Sequence, residues 1–140
     1  MPVTFETDPE RRRVHVTVPP GTRWAVFEAA VLGAVDRSPA LTDWNWIIDD
    51  QQPMDDVDAA GMARIGQIFR QLAREPERRT WTVVVTTDRF FATWARVIDL
   101  NYGARRHHAA PTLAAAGKLL DRLEAGEAGS GPDAAGGVEE

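Results

Sequence analysis

Along residues 3–123, segments with apolar residues at every second position alternate with segments in which they recur at helical spacing, and this alternation leaves few folds open. Val3-Thr4-Phe5 and Val14-His15-Val16-Thr17-Val18 flank Asp8-Pro9-Glu10, which predicts a hairpin stopped by Pro19-Pro20-Gly21. From Thr22, expected as an N-cap, apolar residues at Trp24, Phe27, Val31, Ala34 and Val35 give a first helix with one buried face, closed by Ser38-Pro39. Trp44-Asn45-Trp46-Ile47-Ile48 runs into Asp49-Asp50 and suits a central strand covered on both faces. A second helix starts near Asp58. It buries Met62, Ile65, Phe69 and Leu72, exposes Arg64, Gln67, Gln71 and Arg74, and ends at Glu75-Pro76. The β-branched run Trp81-Thr82-Val83-Val84-Val85-Thr86 is the clearest strand. A third helix carries Phe91, Trp94, Val97 and Ile98 inward, and Arg105 to Ala110 is polar enough to predict an edge strand. Pro111-Thr112 opens a last helix through Leu113, Gly117, Leu120 and Leu123. The order ββαβαβαβα requires parallel neighbours joined by right-handed crossovers, so the expectation is an α/β fold with a five-stranded mixed sheet and four helices.

A chain of 140 residues fits one such domain, set at residues 1–124. Residues 125–140 hold five of the 11 glycines, no aromatic residue and no basic one, a composition expected to form a disordered tail. Four of the five net negative charges lie there (Glu127, Asp133, Glu139, Glu140), so the body is almost neutral. Without an excess of positive charge, general nucleic-acid binding is not expected. The absence of cysteine excludes a disulfide framework, a thiol nucleophile and thiolate-ligated zinc. The amino-terminal residues lack a basic stretch followed by an apolar one, and no segment approaches the roughly 18 apolar residues of a membrane span, which predicts a cytoplasmic protein.

The segment Ile47 to Phe69 resembles the signature of STAS domains, the anti-sigma-factor-antagonist family, in which an apolar strand with a polar end leads through a short loop to a D-S-S-G-L box opening a helix. Asp58-Ala59-Ala60-Gly61-Met62 stands where the box would be, Val57 matches its preceding apolar residue, and Asp50 sits at the spacing of the polar strand end. The resemblance implies a STAS-like fold over about residues 3–123 and a non-catalytic regulatory role in signal transduction. A kinase-like protein or a sigma-factor regulator would be the partner. The family's phosphorylated serine is replaced by Ala60, and Ala59 also lacks a hydroxyl, so a phosphate has no oxygen to attach to. The related STAS/SEC14-like proteins share the architecture without a strict box and imply an alternative, a binder of a small apolar ligand or lipid.

Two candidate sites follow. A docking surface for a protein partner is expected from Asp50, Asp55, Asp56, Asp58, Ala60, Gly61, Arg64, Gln67 and Arg74. On the alternative, Trp24, Trp46 and Trp94 wall an apolar cavity between helices and sheet, and Trp44 and Trp46, expected to share a strand face, give a ligand wall or a homodimer contact. The aspartates from Asp49 to Asp58 match neither a calcium loop nor the pattern of a receiver domain, and are expected to cap helices. Thr86 to Arg89 are expected to project toward the same rim and to cap the third helix, with ligand binding as the alternative. His107 and His108 point to opposite faces of a strand, and the only serines, Ser38 and Ser130, lie in no nucleophile elbow, so neither a metal site nor a hydrolytic triad is expected. No cofactor is implied. The clusters Arg11-Arg12-Arg13, Arg78-Arg79 and Arg105-Arg106 are read as solubilising loop charge or as a face toward an acidic partner.

Overall fold

Asp8 and the left-handed Arg12 (φ 55°) close the first turn, in which the Asp8 carboxylate accepts the Arg11 N–H. The computed structural model describes residues 2–129. Strands β1 (Thr4–Asp8) and β2 (Arg13–Val18) pair antiparallel, and β3 (Asn45–Asp50), β4 (Thr80–Val85) and β5 (Arg105–Ala110) continue the sheet in parallel, in the order β1-β2-β3-β4-β5. Helices α1 (Trp24–Arg37), α2 (Ala59–Leu72) and α3 (Phe91–Asp99) connect successive parallel strands, and α4 (Leu113–Gly129) follows β5. The fold is α/β with four helices and a five-stranded mixed sheet.

Right-handed crossovers between strands that follow one another in sheet order place their helices on one face. That face carries a cluster of Val14, Val16, Val18 and Trp46 under Trp24, Phe27, Val31, Ile65 and Phe69. On the other face α4 lays Ala116 and Leu120 over Trp81, Val83 and Val85. Strand β4, covered from both sides, is buried at all six residues.

The structure corrects several local expectations. The N-cap of α1 is Arg23 rather than Thr22, and the orphan Trp24 N–H is met by the Asp56 carboxylate at 3.0 and 3.2 Å. Trp44 precedes β3, after the 3₁₀ turn Pro39–Asp43, so it shares no strand face with Trp46. On α3 the buried residues are Ala95 and Ile98, whereas Trp94 and Val97 are 49% and 48% exposed. Arg105 is not loop charge: it is 3% exposed, because the carbonyls of Thr42, Trp44 and Trp81 converge on its guanidinium. Arg13 is likewise engaged, bonding Asp121 at 2.7 Å and Glu124, which ties β2 to α4. Helix α4 runs to Gly129, past the boundary expected at residue 124. The rest of the expected tail lies outside the described residues.

Candidate ligand cavity

Above Ile48 and Val84 the sheet is not fully covered. The segment between β3 and α2 is irregular, α3 is only nine residues long, and α3 packs chiefly on β5 while α1 and α2 pack together over β2 and β3. The gap is a cavity of about 380 Å³ at the carboxyl ends of β3 and β4, within the ~300–1,000 Å³ of small-molecule sites and in the place where α/β sheets present them.

Its floor follows from strand alternation and register. Trp46, Ile48 and Asp50 point to one face of β3, and the pairings of Trp46 with Thr82 and of Thr82 with His107 bring β4 and β5 residues alongside. Trp24 and Phe27 of α1, Ile65 and Phe69 of α2, and Phe91 and Trp94 of α3 form the other walls. The lining residues Pro53, Asp55, Val57, Asp88 and Trp94 are exposed and form the mouth. Trp24, Trp46 and Trp94, expected together as a ligand wall, all line this one space.

Most polar groups around the cavity are already occupied. Thr82 Oγ1 accepts from Arg105, Thr86 Oγ1 from the Asp88 N–H, and the Asp88 carboxylate from the Phe90 N–H at the start of α3. Trp24 Nε1 donates to Glu28. His107 Nδ1 lies 3.0 Å from Asp99 Oδ1, which also accepts the His107 backbone N–H. Burial nevertheless holds the His107 imidazole below its ordinary pKa, against the pull of Asp99.

Asp50 differs from these groups. Its Oδ1 is buried and has no hydrogen-bond partner. Burial, and secondarily the charge of Asp49, push its carboxyl up to about 6. The period of β3 makes this outcome intelligible, since a carboxylate two residues beyond Ile48 on an apolar face must lie over the same space.

The expected docking residues separate into three groups. Asp56, Asp58, Gly61 and Arg64 join α1 to α2: Asp56 caps α1, Asp58 caps α2 through the Ala60 N–H at 3.1 Å, and Arg64 bonds both oxygens of Glu28 at 2.7 and 3.1 Å. Gly61 faces Trp24 and Glu28 so closely that a Cβ there would collide with both. Ala60, Gln67 and Arg74 are exposed on or just beyond α2, and Asp50 and Asp55 border the cavity. Sequence reasoning placed Thr86 and Asp88 at the rim beside the Asp50 strand, chiefly as caps of α3; it did not identify Tyr102 or His107, whose place at the cavity depends on the pairing of β5 with β4. Among the described residues no three His, Asp or Glu side chains are placed to hold a metal ion, and no helix is long and apolar enough to cross a membrane.

The raised carboxyl has a consequence for stability. Asp50 titrates near 6 in the folded chain and near 3.8 when free, so the stability it contributes is complete below 3.8 and is lost as pH rises through 6. Asp50→Asn is therefore expected to raise unfolding free energy by about 1–2 kcal/mol near pH 8, after discounting for partial solvent access, and by about nothing near pH 4. Urea midpoints at the two pH values check this; an equal effect at both would show that the carboxylate is not strained by the fold.

No protein-family model matches the chain, and no curated protein or solved structure is significantly similar to it.

Proposed function

We propose that the chain is a non-catalytic binding protein for a small, largely apolar molecule held between the sheet and helices α1 to α3. The observation that carries this is the 380 Å³ aromatic-walled cavity bordered by Asp50, a carboxyl whose buried Oδ1 has no partner in the protein. The remaining polar groups hold the walls in place, and the hydroxyls of Thr82 and Thr86 accept hydrogen bonds from the protein itself. Order ββαβαβαβα and this cavity support the likeness to the STAS/SEC14-like proteins, on the side of ligand binding. A neutral probe, 1-naphthalenemethanol, is expected to quench the tryptophan fluorescence saturably. Ile48→Trp, which fills the space above β3, is expected to abolish that binding while the protein stays folded; undiminished binding would place the probe elsewhere.

A role in docking a regulatory protein has its own support. Phe90 and Leu100, 69% and 81% exposed, flank the half-exposed Trp94 and Val97 on or next to α3, and Phe90, Trp94 and Val97 share one stripe at i, i+4, i+7 spacing. Trp94 also lines the cavity, so a bound molecule would touch the residue that a partner would cover. In capture from native cell extract, Trp94→Ser with Val97→Ser should lose a partner that docks on α3. Gln67→Ala with Arg74→Ala should lose one that docks on α2, and retention by both variants would remove the docking role.

A further inference from the structure

Given the ligand-binding reading above, on which this rests, we propose that the ligand is an amphiphilic amine whose ammonium group pairs with Asp50 at the sheet end of the cavity while its apolar body lies among the aromatic walls. Three observations point to this class. The first is Asp50, an acceptor that lines the cavity and whose buried Oδ1 draws no donor from the protein, so the carboxylate is undersatisfied as it stands. A cationic donor gains most there, because charge-assisted hydrogen bonds strengthen where solvent is excluded.

The second is the sign of the lining. The acidic side chains that reach the cavity are Asp50, Asp55 and Asp88, and no lysine or arginine lines it. Seen from Asp50, β3 itself contributes Asp49, the segment after β3 contributes Asp55, and the turn after β4 contributes Asp88. His107 of β5 and Tyr102 are the other titratable neighbours, while α1 and α2 present only apolar or aromatic lining. Burial keeps His107 neutral and Tyr102 protonated near neutral pH, so neither supplies a competing cation or a further anion. A carboxylate-bearing apolar molecule would bring its charge against these aspartates and is disfavoured.

The third is the aromatic content of the walls. Trp24, Trp46, Phe91 and Trp94 surround the route from mouth to floor, and ring faces attract an ammonium group as well as an apolar body.

Three probes of one shape test the proposal by calorimetric titration of the intact protein: 1-naphthylmethylamine, 1-naphthalenemethanol and 1-naphthoic acid. Near pH 8 the amine is expected to bind about tenfold or more tighter than the alcohol, and the acid more weakly than either. Near pH 5, where Asp50 is mostly protonated, the advantage of the amine should shrink toward nothing. Asp50→Asn should erase that advantage near pH 8, and a cooperative urea transition shows that the variant folds. Alcohol binding without any preference for the amine overturns the amine assignment and leaves the cavity reading standing. A preference that survives Asp50→Asn overturns the role of Asp50, and failure of all three probes overturns the cavity reading and the amine inference together.

Discussion

Replacing Arg105 by methionine is expected to lower stability by about 3 kcal/mol and the melting temperature by about 10 °C, a large share of the ~5–15 kcal/mol that holds a domain together. Arg105 begins the edge strand β5, yet its guanidinium reaches inward. Nη1 donates to the Trp81 carbonyl at 3.1 Å and to Thr82 Oγ1 at 2.9 Å, and Nη2 donates to the carbonyls of Thr42 at 3.0 Å and Trp44 at 2.6 Å. One side chain thereby fastens β5 to β4 and to the 3₁₀ turn before β3, with Phe69 stacked 5.1 Å beneath the charge. Two effects oppose each other. Burial pushes the guanidinium down to about 10, so removing the charge returns some free energy. Against this, three buried carbonyls lose a donor at about 1–3 kcal/mol each, and methionine has no hydrogen to offer them. The stranded carbonyls win. Lysine gives no rescue, because a single ammonium cannot span the two pairs of acceptors that the planar fork reaches. Thermal and urea unfolding of the two variants check this, and a methionine variant as stable as the parent would mean that desolvation cancels the whole network.

Arg105 also marks the boundary of what the sequence makes legible. Where burial follows a local period, the residues announce it: β4 is β-branched at five of its six residues and wholly buried, and Met62, Ile65 and Phe69 face the core as their spacing requires. Arg105 is buried for a reason that no local window contains, the meeting of carbonyls from residues 42, 44 and 81. Helix α3 shows a different limit. Its apolar residues lie on two sides, so periodicity establishes a stripe without choosing between Phe90-Trp94-Val97 and Ala95-Ile98; packing against β5 makes the choice. At the site, alternation in β3 puts Asp50 on the face of Trp46 and Ile48, and the helix patterns aim Trp24 and Trp94 at the sheet. The empty volume is not visible, because it depends on how far the short α3 and the segment after β3 fall short of covering the sheet. The acidic loop divides in the same way: a carboxylate before a helix suggests a cap, but that Asp56 would cap α1, 32 residues back along the chain, depends on α1 and α2 packing together.

Trp46→Ala is expected to cost about 3–5 kcal/mol, and comparison with Trp46→Phe and Trp94→Ala separates the cavity floor from its mouth. Trp46 is 1% exposed, its indole Nε1 donates to the Leu41 carbonyl at 2.9 Å, and its rings meet Phe69 at 5.3 Å and Phe5 at 6.2 Å. Alanine removes all of these contacts and opens a void that joins the existing cavity, so little collapse can recover the loss. Phenylalanine keeps most of the apolar area but loses the indole bond to the Leu41 carbonyl, which keeps the Trp44 N–H, for a smaller cost of about 1–2 kcal/mol. Because Trp46 supports the fold and touches the ligand space, Trp46→Phe should also weaken 1-naphthalenemethanol severalfold. Trp94 gives the opposite ratio: half exposed, it carries little of the core, so Trp94→Ala should change stability by at most about 0.5 kcal/mol while weakening the probe at least as much. Urea midpoints read beside probe affinities check both variants. If Trp94→Ala leaves the affinity unchanged, the mouth lies elsewhere, and if Trp46→Phe changes stability alone, the indole belongs to the core and not to the binding site.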